Sequence, residues 1–266
     1  MISIVGTSIY AIIKKWDGLR HYKRATRATN KKILDFGKYT TFTLVFTNLL
    51  RNADAFLISL SPLGTAGVAL YGIPMKLNEL QQLPLRSFAA TAFPRMSKAS
   101  MQEDTPEVKR LFDIYSGALT YLFIVMSLLI FIFAEFLVTL LGGAQYEGMN
   151  ATLGVSAANI LRIFSLYGLL LPLDRMTGVG LDSVNKPNKN MVKVMFMVVT
   201  NIIGDLVALF VFQSLEMVAM ASVLFTFIGI VLGSYYLKME FPIRIKDIYR
   251  EGFLFYQTMF FRFLKR

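Results

Sequence analysis

The chain has 266 residues, of which 55% are hydrophobic and 17% are charged, and its formal net charge is +11. A soluble domain rarely combines so many apolar residues with so few charges, which indicates a membrane protein. The chain has no cysteine and one histidine, so it offers no disulfide framework, no thiolate metal site and no convincing histidine-based triad. It has no P-loop motif either. We therefore expect a protein that is not an enzyme and that uses no cofactor or metal.

Residues 1–38 are predicted to contain the end of a preceding span and a basic linker. Met1–Ile13 is apolar but too short to cross a membrane. Lys14–Lys38 contains nine Lys and Arg residues, and we expect a cytoplasmic linker there that is partly helical. The first span of the chain itself is predicted to follow this linker.

Residues 39–238 are predicted to form a lobe of six transmembrane helices, because they contain six largely apolar stretches of about twenty residues or more. The predicted spans are Tyr39–Leu60, Ala66–Phe93, Ile114–Leu141, Val155–Val179, Val194–Phe212 and Val218–Leu237. The third span contains one charge, Glu135, the fifth contains one, Asp205, and the sixth contains none. The predicted fold is therefore an all-α polytopic membrane protein.

The segments between the spans alternate in charge. Those without Lys or Arg lie around residues 61–65, 142–151 and 213–216, and the basic ones are Lys14–Lys38, Arg95–Arg110, Lys186–Lys193 and Lys238 to the C-terminus. This positive-inside pattern predicts that the basic segments, including the N- and C-terminal ones, lie in the cytoplasm. We expect the basic charge to contact anionic membrane lipids and not nucleic acid.

The second span is predicted to be kinked. Pro74, Pro84 and Pro94 recur in it at ten-residue intervals. A proline removes a backbone hydrogen bond, and in a membrane the freed carbonyl is tolerated only where protein or water satisfies it. The second span is therefore expected to face a cavity.

The end of the chain has two further patterns. Gly229 and Gly233 form one G-x-x-x-G pattern in the sixth span, which favours close helix packing. Residues 239–266 mix aromatic and basic residues without a long apolar run, so we expect an interfacial tail on the inner membrane surface.

Polar residues of the first span are candidates for a binding site, because a charge at the centre of a membrane helix costs roughly 2.5–3.5 kcal/mol. Asn48, Arg51, Asn52 and Ser59 follow one helical stripe. Asp54 follows Arg51 by three residues, within reach of an ion pair along the helix. Such a pair could also serve only to fix helix packing.

The second and fourth spans add further charges. Lys76 and Glu79 are also three residues apart, Arg86 follows, and Asp174 and Arg175 lie toward the cytoplasmic end of the fourth span. The cations within the predicted spans outnumber the acids that are expected to be central. The cations are Arg51, Lys76, Arg86, Arg162 and Arg175, and the acids are Asp54, Glu79 and Asp174. We expect Glu135 and Asp205 to have no central role. The predicted cavity is polar and slightly positive, which suits a ligand with an anionic part and a hydroxyl-rich part.

Two stretches resemble the oligosaccharide flippase branch of the MATE-like MOP superfamily, namely RNADAFLISLSPLGTAGVALYGIPMKLNELQQLPLRSFAATAFPRMSK and LLLPLDRMTGVGLDSVNKPNKN. The first is similar to the seventh and eighth spans of that family through Asp54, Gly64, Tyr71, Lys76 and Pro94. The second is similar to the tenth span and the loop after it. The resemblance covers nearly the whole chain, as the C-terminal half of such a protein.

The resemblance implies a six-helix lobe of an alternating-access transporter that flips polyprenyl-diphosphate-linked oligosaccharide for surface polysaccharide. The substrate-binding residues would then be Arg51, Asn52, Lys76, Arg86 and Asn48, with the cations on the diphosphate. Asp54, Glu79 and Asp174 would tune these charges or carry a coupling cation, Na⁺ or H⁺. The partner implied is a missing N-terminal six-helix lobe or a second half-chain.

Three alternatives stay open. A MATE-type multidrug or cation antiporter would have the same fold, although cationic substrates favour a net acidic cavity. A membrane polysaccharide polymerase usually needs a sizeable external loop, and the predicted external loops are short. A truncated remnant that does not transport, or that serves in assembly, is the third alternative.

Overall fold

A computed structural model describes residues 2–14, 26–150 and 153–264 of the chain. The regular structure in these ranges is entirely helical. The helices are α1 (Ile2–Ile13), α2 (Arg27–Leu60), α3 (Gly64–Leu80), α4 (Gln82–Met101), α5 (Thr105–Ile132), α6 (Ala134–Gly142), α7 (Ala157–Ser183), α8 (Pro187–Phe210), α9 (Leu215–Lys238) and α10 (Ile245–Leu264). A short 3-10 turn, Ala144–Tyr146, follows α6.

The chain divides into two compact units, Met1–Tyr39 and Thr40–Arg266. The first unit contains α1 and the start of α2. Residues 15–25 of the predicted linker lie outside the described residues. From Arg27 onward the predicted linker belongs to helix α2, so its second half is helical. All further contacts described below lie within the second unit.

Four helices of the described chain, α5, α7, α8 and α9, are long and apolar enough to cross a membrane. At least half of each is not buried, and the outer faces expose large apolar side chains such as Leu128 and Ile132 on α5 and Phe196 and Ile203 on α8. A soluble monomer rarely exposes apolar surface on this scale. The prediction of an all-α polytopic membrane protein is confirmed. Helices α2 and α4, in the region of the first two predicted spans, have no comparably apolar stretch of 18 residues, and α3 between them is only 17 residues long.

The second predicted span is interrupted, because α3 ends at Leu80 and α4 begins at Gln82. Pro84 has no N–H to donate to the carbonyl of Leu80, and its ring crowds that carbonyl. Pro74 and Pro94, in contrast, lie inside α3 and α4. The predicted kink therefore falls next to one of the three prolines.

The third predicted span begins earlier than its apolar run and is broken near its end. Helix α5 starts at Thr105, where the Asp104 side chain accepts a hydrogen bond of 3.0 Å from the N–H of Glu107 and caps the helix. After Ile132 the chain bends, and Glu135 lies in the first turn of α6.

Helix α7 is central to the second unit and packs against α3, α4, α5, α6, α8 and α9. Two apolar clusters surround it. One contains Phe112, Leu119 and Met176, and the other contains Tyr71 and Ile160. Helix α2 contributes little apolar burial to this unit, since Ala53 and Ile58 are its buried apolar residues among those described.

The tail predicted to be interfacial forms α10, which crosses α5. Gly117 and Gly252 meet at the crossing, where a Cβ on Gly252 would overlap the backbone of Gly117. Lys109 Nζ lies between Asp113 (2.6 Å) and Asp247 (2.8 Å) and so ties the start of α10 to α5. The hydrogen bond from Lys109 lowers the pKa of Asp247. Packing against α5 was not part of the prediction for this tail.

Candidate substrate cavity

A cavity of about 690 Å³ lies in the second unit between α2, α3, α4, α7, α8 and α9. This volume falls in the range of about 300–1,000 Å³ that is usual for ligand sites. Its charged lining residues are four cations, Arg51, Arg86, Arg175 and Lys193, and four acids, Asp54, Glu79, Asp174 and Asp182. The formal charges of the lining therefore balance, whereas the residues of the predicted spans led us to expect a slight excess of positive charge.

Six of the eight predicted site residues line this cavity, namely Asn48, Arg51, Arg86, Asp54, Glu79 and Asp174. The other two, Asn52 and Lys76, do not. Asn52 donates its side-chain amide to the backbone oxygen of Asn48 at 2.7 Å. The side chain of Lys76 is 77% exposed, and its ammonium lies 3.5 Å from Glu79, so the predicted pairing of these two residues is present.

Arg51 does not pair with Asp54, although their spacing puts the two residues within reach of an ion pair along one helix; its partner is Glu79. Its guanidinium donates from Nη2 (2.8 Å) and Nε (3.2 Å) to Oε1 of Glu79 on α3. Arg51 is exposed on the cavity side, while Asp54 is 7% exposed and lies on the buried face of α2. The two side chains leave the same helix in different directions, so their spacing of three residues does not bring them together.

Arg86 and Arg175 form no hydrogen bond or ion pair with any described residue. Both side chains are exposed on the cavity wall, Arg86 from α4 and Arg175 from α7. The acids that balance them are bound to neutral groups; both carboxylate oxygens of Asp182, for example, accept from the Asn190 amide at 3.0 Å. Although the formal charges balance, the groups left available to a ligand are these two guanidiniums.

A buried polar cluster lies beside the cavity around Asp54. Its Oδ2 accepts from the Tyr71 hydroxyl at 2.8 Å, and its Oδ1 lies 3.3 Å from the Asn201 amide. The same amide lies 3.2 Å from Oδ2 of Asp205, which is fully buried. Ser222 Oγ is 3.5 Å from Asp54. Two carboxyl groups thus share one amide donor, without a cation among their described hydrogen-bond partners.

Asp205, for which no central role was expected, therefore lies buried in the same cluster as Asp54. A signal was present, because Asn201 and Asp205 are four residues apart and lie on one face of the mostly apolar second half of α8. The first span gave no indication that Asp54 would meet this face, since the two positions are about 150 residues apart.

Lys193 is also placed differently from its prediction as part of a basic cytoplasmic loop. Helix α8 already begins at Pro187, and the side chain of Lys193 is 2% exposed. Its ammonium lies 2.6 Å from Oδ1 of Asp174. Asp174 thus has a cationic partner that its own sequence neighbourhood did not indicate.

The cavity combines guanidinium donors with amide and hydroxyl groups, including Thr40, Thr43, Asn78 and Gln82. Guanidiniums bind phosphate through two parallel hydrogen bonds, and amides and hydroxyls exchange hydrogen bonds with sugar hydroxyls. This set of groups can bind a ligand that is anionic at one end and hydroxyl-rich at the other.

Comparison with solved structures shows which fold the chain has. A crystal structure of MATE in the bent conformation matches with a TM-score of 0.57 and 16% sequence identity, over 84% of this chain and 52% of that one. The chain has a MATE-like fold and spans about half the length of that protein, as the resemblance implied.

The family is shown by a second comparison. The profile of a polysaccharide biosynthesis protein family matches residues 3–151, more than half of the chain. The chain belongs to this family of polysaccharide biosynthesis proteins. The search of curated proteins found no match.

Proposed function

We propose that this chain forms one lobe of an alternating-access transporter that moves polyprenyl-diphosphate-linked oligosaccharide across the inner membrane. The observation that carries the proposal is that Arg86 and Arg175, which have no hydrogen bond or ion pair with any described residue, line the cavity of a polysaccharide biosynthesis protein. A diphosphate is the anionic group that such a carrier lipid presents, and arginine binds it in bidentate fashion. The amide and hydroxyl groups of the wall would contact the first sugars.

Arg51 is proposed as a third cation that can bind the diphosphate once it leaves its partner Glu79. Its guanidinium is held by Glu79, which is part-exposed, so a stronger anion can displace that carboxylate at small cost. Lys76 stands outside the cavity wall and would act only through Glu79. Asn48, on the wall, is a candidate for contacts with sugar, whereas Asn52 is engaged with the backbone.

The cluster of Asp54 and Asp205 is proposed as the site of a coupling cation, Na⁺ or H⁺. Two buried carboxyl groups without a cationic partner are costly unless a proton or a metal ion neutralises them. Oδ1 of Asp205 and Oδ1 of Asn201 are buried and have no hydrogen-bond partner among the described residues, so both are available to such an ion. Uptake of a cation here would alter the contacts that hold α2, which forms one wall of the cavity.

The opposite wall would come from a second lobe, supplied by another segment or another chain. The match to about half of a MATE protein supports this arrangement. The positive-inside pattern supports cytoplasmic placement of the basic segments, and an inside-negative potential would then favour outward movement of an anion by about 2.3 kcal/mol per charge per 100 mV.

Polysaccharide export in cells tests the proposal. Cells that depend on the complete transporter would carry the double variant R86Q/R175Q, which removes both charges and keeps polar side chains. We expect export to be lost while the protein level in the membrane is unchanged. K98Q is the matched control, because Lys98 is exposed on the same helix as Arg86 but lies outside the cavity wall. Normal export by the double variant would show that the anion site is wrong.

A MATE-type cation antiporter is the second candidate, and the buried acids Asp54 and Asp205 favour it. Binding measurements separate the two candidates. Tight binding of a cationic dye that is lost when these acids are substituted would favour the antiporter. Tighter binding of a diphosphate than of the dye would favour the flippase.

A further inference from the structure

A second charged centre lies in the wall of the cavity, where the side chain of Lys193 contacts helix α7. Its Nζ is 2.6 Å from Oδ1 of Asp174, 2.7 Å from the backbone oxygen of Asp174 and 3.1 Å from Oγ1 of Thr177. A carboxylate, a carbonyl and a hydroxyl thus converge on one point, and the ammonium occupies it. We infer that these three oxygens form an alkali-cation site that the chain fills with its own Lys193.

The oxygen types support this inference. Hard cations are bound in proteins by carboxylate, carbonyl and hydroxyl or water oxygens. Three such oxygens at 2.6–3.1 Å from a single centre are a partial coordination shell. The ammonium donates hydrogen bonds to the carbonyl and the hydroxyl and forms an ion pair with the carboxylate, whose Oδ1 has no hydrogen-bond partner among the described residues.

The surrounding glycines show that this centre is built into the packing. A Cβ on Gly229 would lie 2.9 Å from Oδ1 of Asp174, and one on Gly233 would lie 2.6 Å from Oγ1 of Thr177. The G-x-x-x-G pattern of α9 therefore leaves room for the ion pair between α7 and α8. A buried charge persists only with a close partner, and Lys193 and Asp174 supply each other with one.

The centre remains accessible from the cavity on one side. The side chain of Asp174 is 21% exposed, whereas that of Lys193 is 2% exposed, and both belong to the cavity lining. A cation that entered the cavity would reach the carboxylate if the ammonium were absent. With the ammonium in place, the site is closed to competing cations and Asp174 adds no free negative charge to the wall.

This inference deepens the proposed function, since it assigns Asp174 to charge balance and leaves the Asp54 cluster as the place for a coupling cation. Its test does not require transport. Thermal unfolding of the purified chain in lipid nanodiscs would be compared in NaCl and in N-methyl-D-glucamine chloride at equal ionic strength. The variants are K193M, which keeps the apolar stem without the ammonium, and K193M/D174N, which also removes the carboxylate charge.

K193M should show a Na⁺-dependent rise in melting temperature beyond that of the wild type, by about 3–6 °C at a Na⁺ concentration ten times the dissociation constant. K193M/D174N should lose that additional rise. A folded K193M without any additional response would overturn the inference.

The single variant D174N keeps the test decisive if K193M does not fold. The inference expects the Na⁺ response of the wild type to be the same in D174N, because the ammonium already occupies the site. If the wild type is stabilised by Na⁺ and D174N removes that stabilisation, Asp174 binds Na⁺ in the native protein and the inference is wrong. Neither outcome depends on whether the transported substrate is a lipid-linked sugar.

Discussion

The substitution Tyr71→Phe isolates the polar contact that holds α2 to the rest of the second unit. Of the described side chains of α2, only Ala53, Asp54 and Ile58 are buried. The carboxylate of Asp54 is therefore a large part of what docks this helix. Phenylalanine keeps the aromatic ring of Tyr71, which packs edge-on against Phe164 at 5.5 Å, and removes only the hydroxyl.

The expected loss follows from the remaining partners of the carboxylate. Without the 2.8 Å bond from Tyr71, Oδ2 of Asp54 has only the 3.5 Å contact with Ser222. Leaving a buried acceptor without a good partner costs about 1–3 kcal/mol, which corresponds to a fall in melting temperature of about 2–12 °C for a chain of this size.

Thermal unfolding in nanodiscs measures this difference. Tyr235→Phe is the matched control, because Tyr235 is 57% exposed and loses the same atom at little cost. If Tyr71→Phe melts within 1 °C or so of this control, the buried hydroxyl contributes less than about 0.5 kcal/mol and the argument for polar docking of α2 is refuted.

Three further predictions concern other contacts. Gly252→Ala forces a methyl group into the backbone of the facing helix. The packing of α10 on α5 should lose about 1–3 kcal/mol, which would be seen as faster proteolysis of the tail. Gly72→Ala is the control and should leave the tail protected, because nothing lies within 4 Å of the added methyl group. The ion pair of Asp247 should hold α10 at pH values above its ordinary pKa of 3.8 and weaken as the pH falls through the lowered pKa of the folded state. Asp247→Asn should abolish this acid-dependent step in tail protection, and an unchanged step would assign it to another group. Glu79→Gln should free its bound arginine and tighten the binding of a prenyl diphosphate by about two- to fivefold in a titration, while weaker binding would mean that the carboxylate itself contacts the ligand.

The fold class was accessible from the sequence because the length of an apolar run is a local property of the chain. The prolines of the second span likewise predicted a bend, and the break between α3 and α4 lies next to Pro84. In each case the physical cause operates within a few residues. Such signals need no knowledge of which helices meet.

Pairing across helices was not accessible in the same way. Arg51 had a nearby candidate in Asp54, but its partner is Glu79 on the next helix. Lys193 looked like one more basic loop residue, because its burial depends on the room that two glycines of α9 leave. Which charges are neutralised is decided by helix packing, and a contact between residues far apart in the chain, such as Asp54 and Asn201, leaves no local pattern in the sequence.

The most direct test of the central claim is the affinity of the purified chain for a short prenyl diphosphate, compared with that for the corresponding prenyl alcohol, in nanodiscs at fixed salt. The wild type should prefer the diphosphate, and R86Q/R175Q should lose at least about tenfold of that affinity, since a hydrogen bond to a charged group is worth about 1.5–3 kcal/mol. K98Q should bind as the wild type does. Equal affinity for diphosphate and alcohol, or a double variant that binds the diphosphate normally, would contradict an anion site at Arg86 and Arg175.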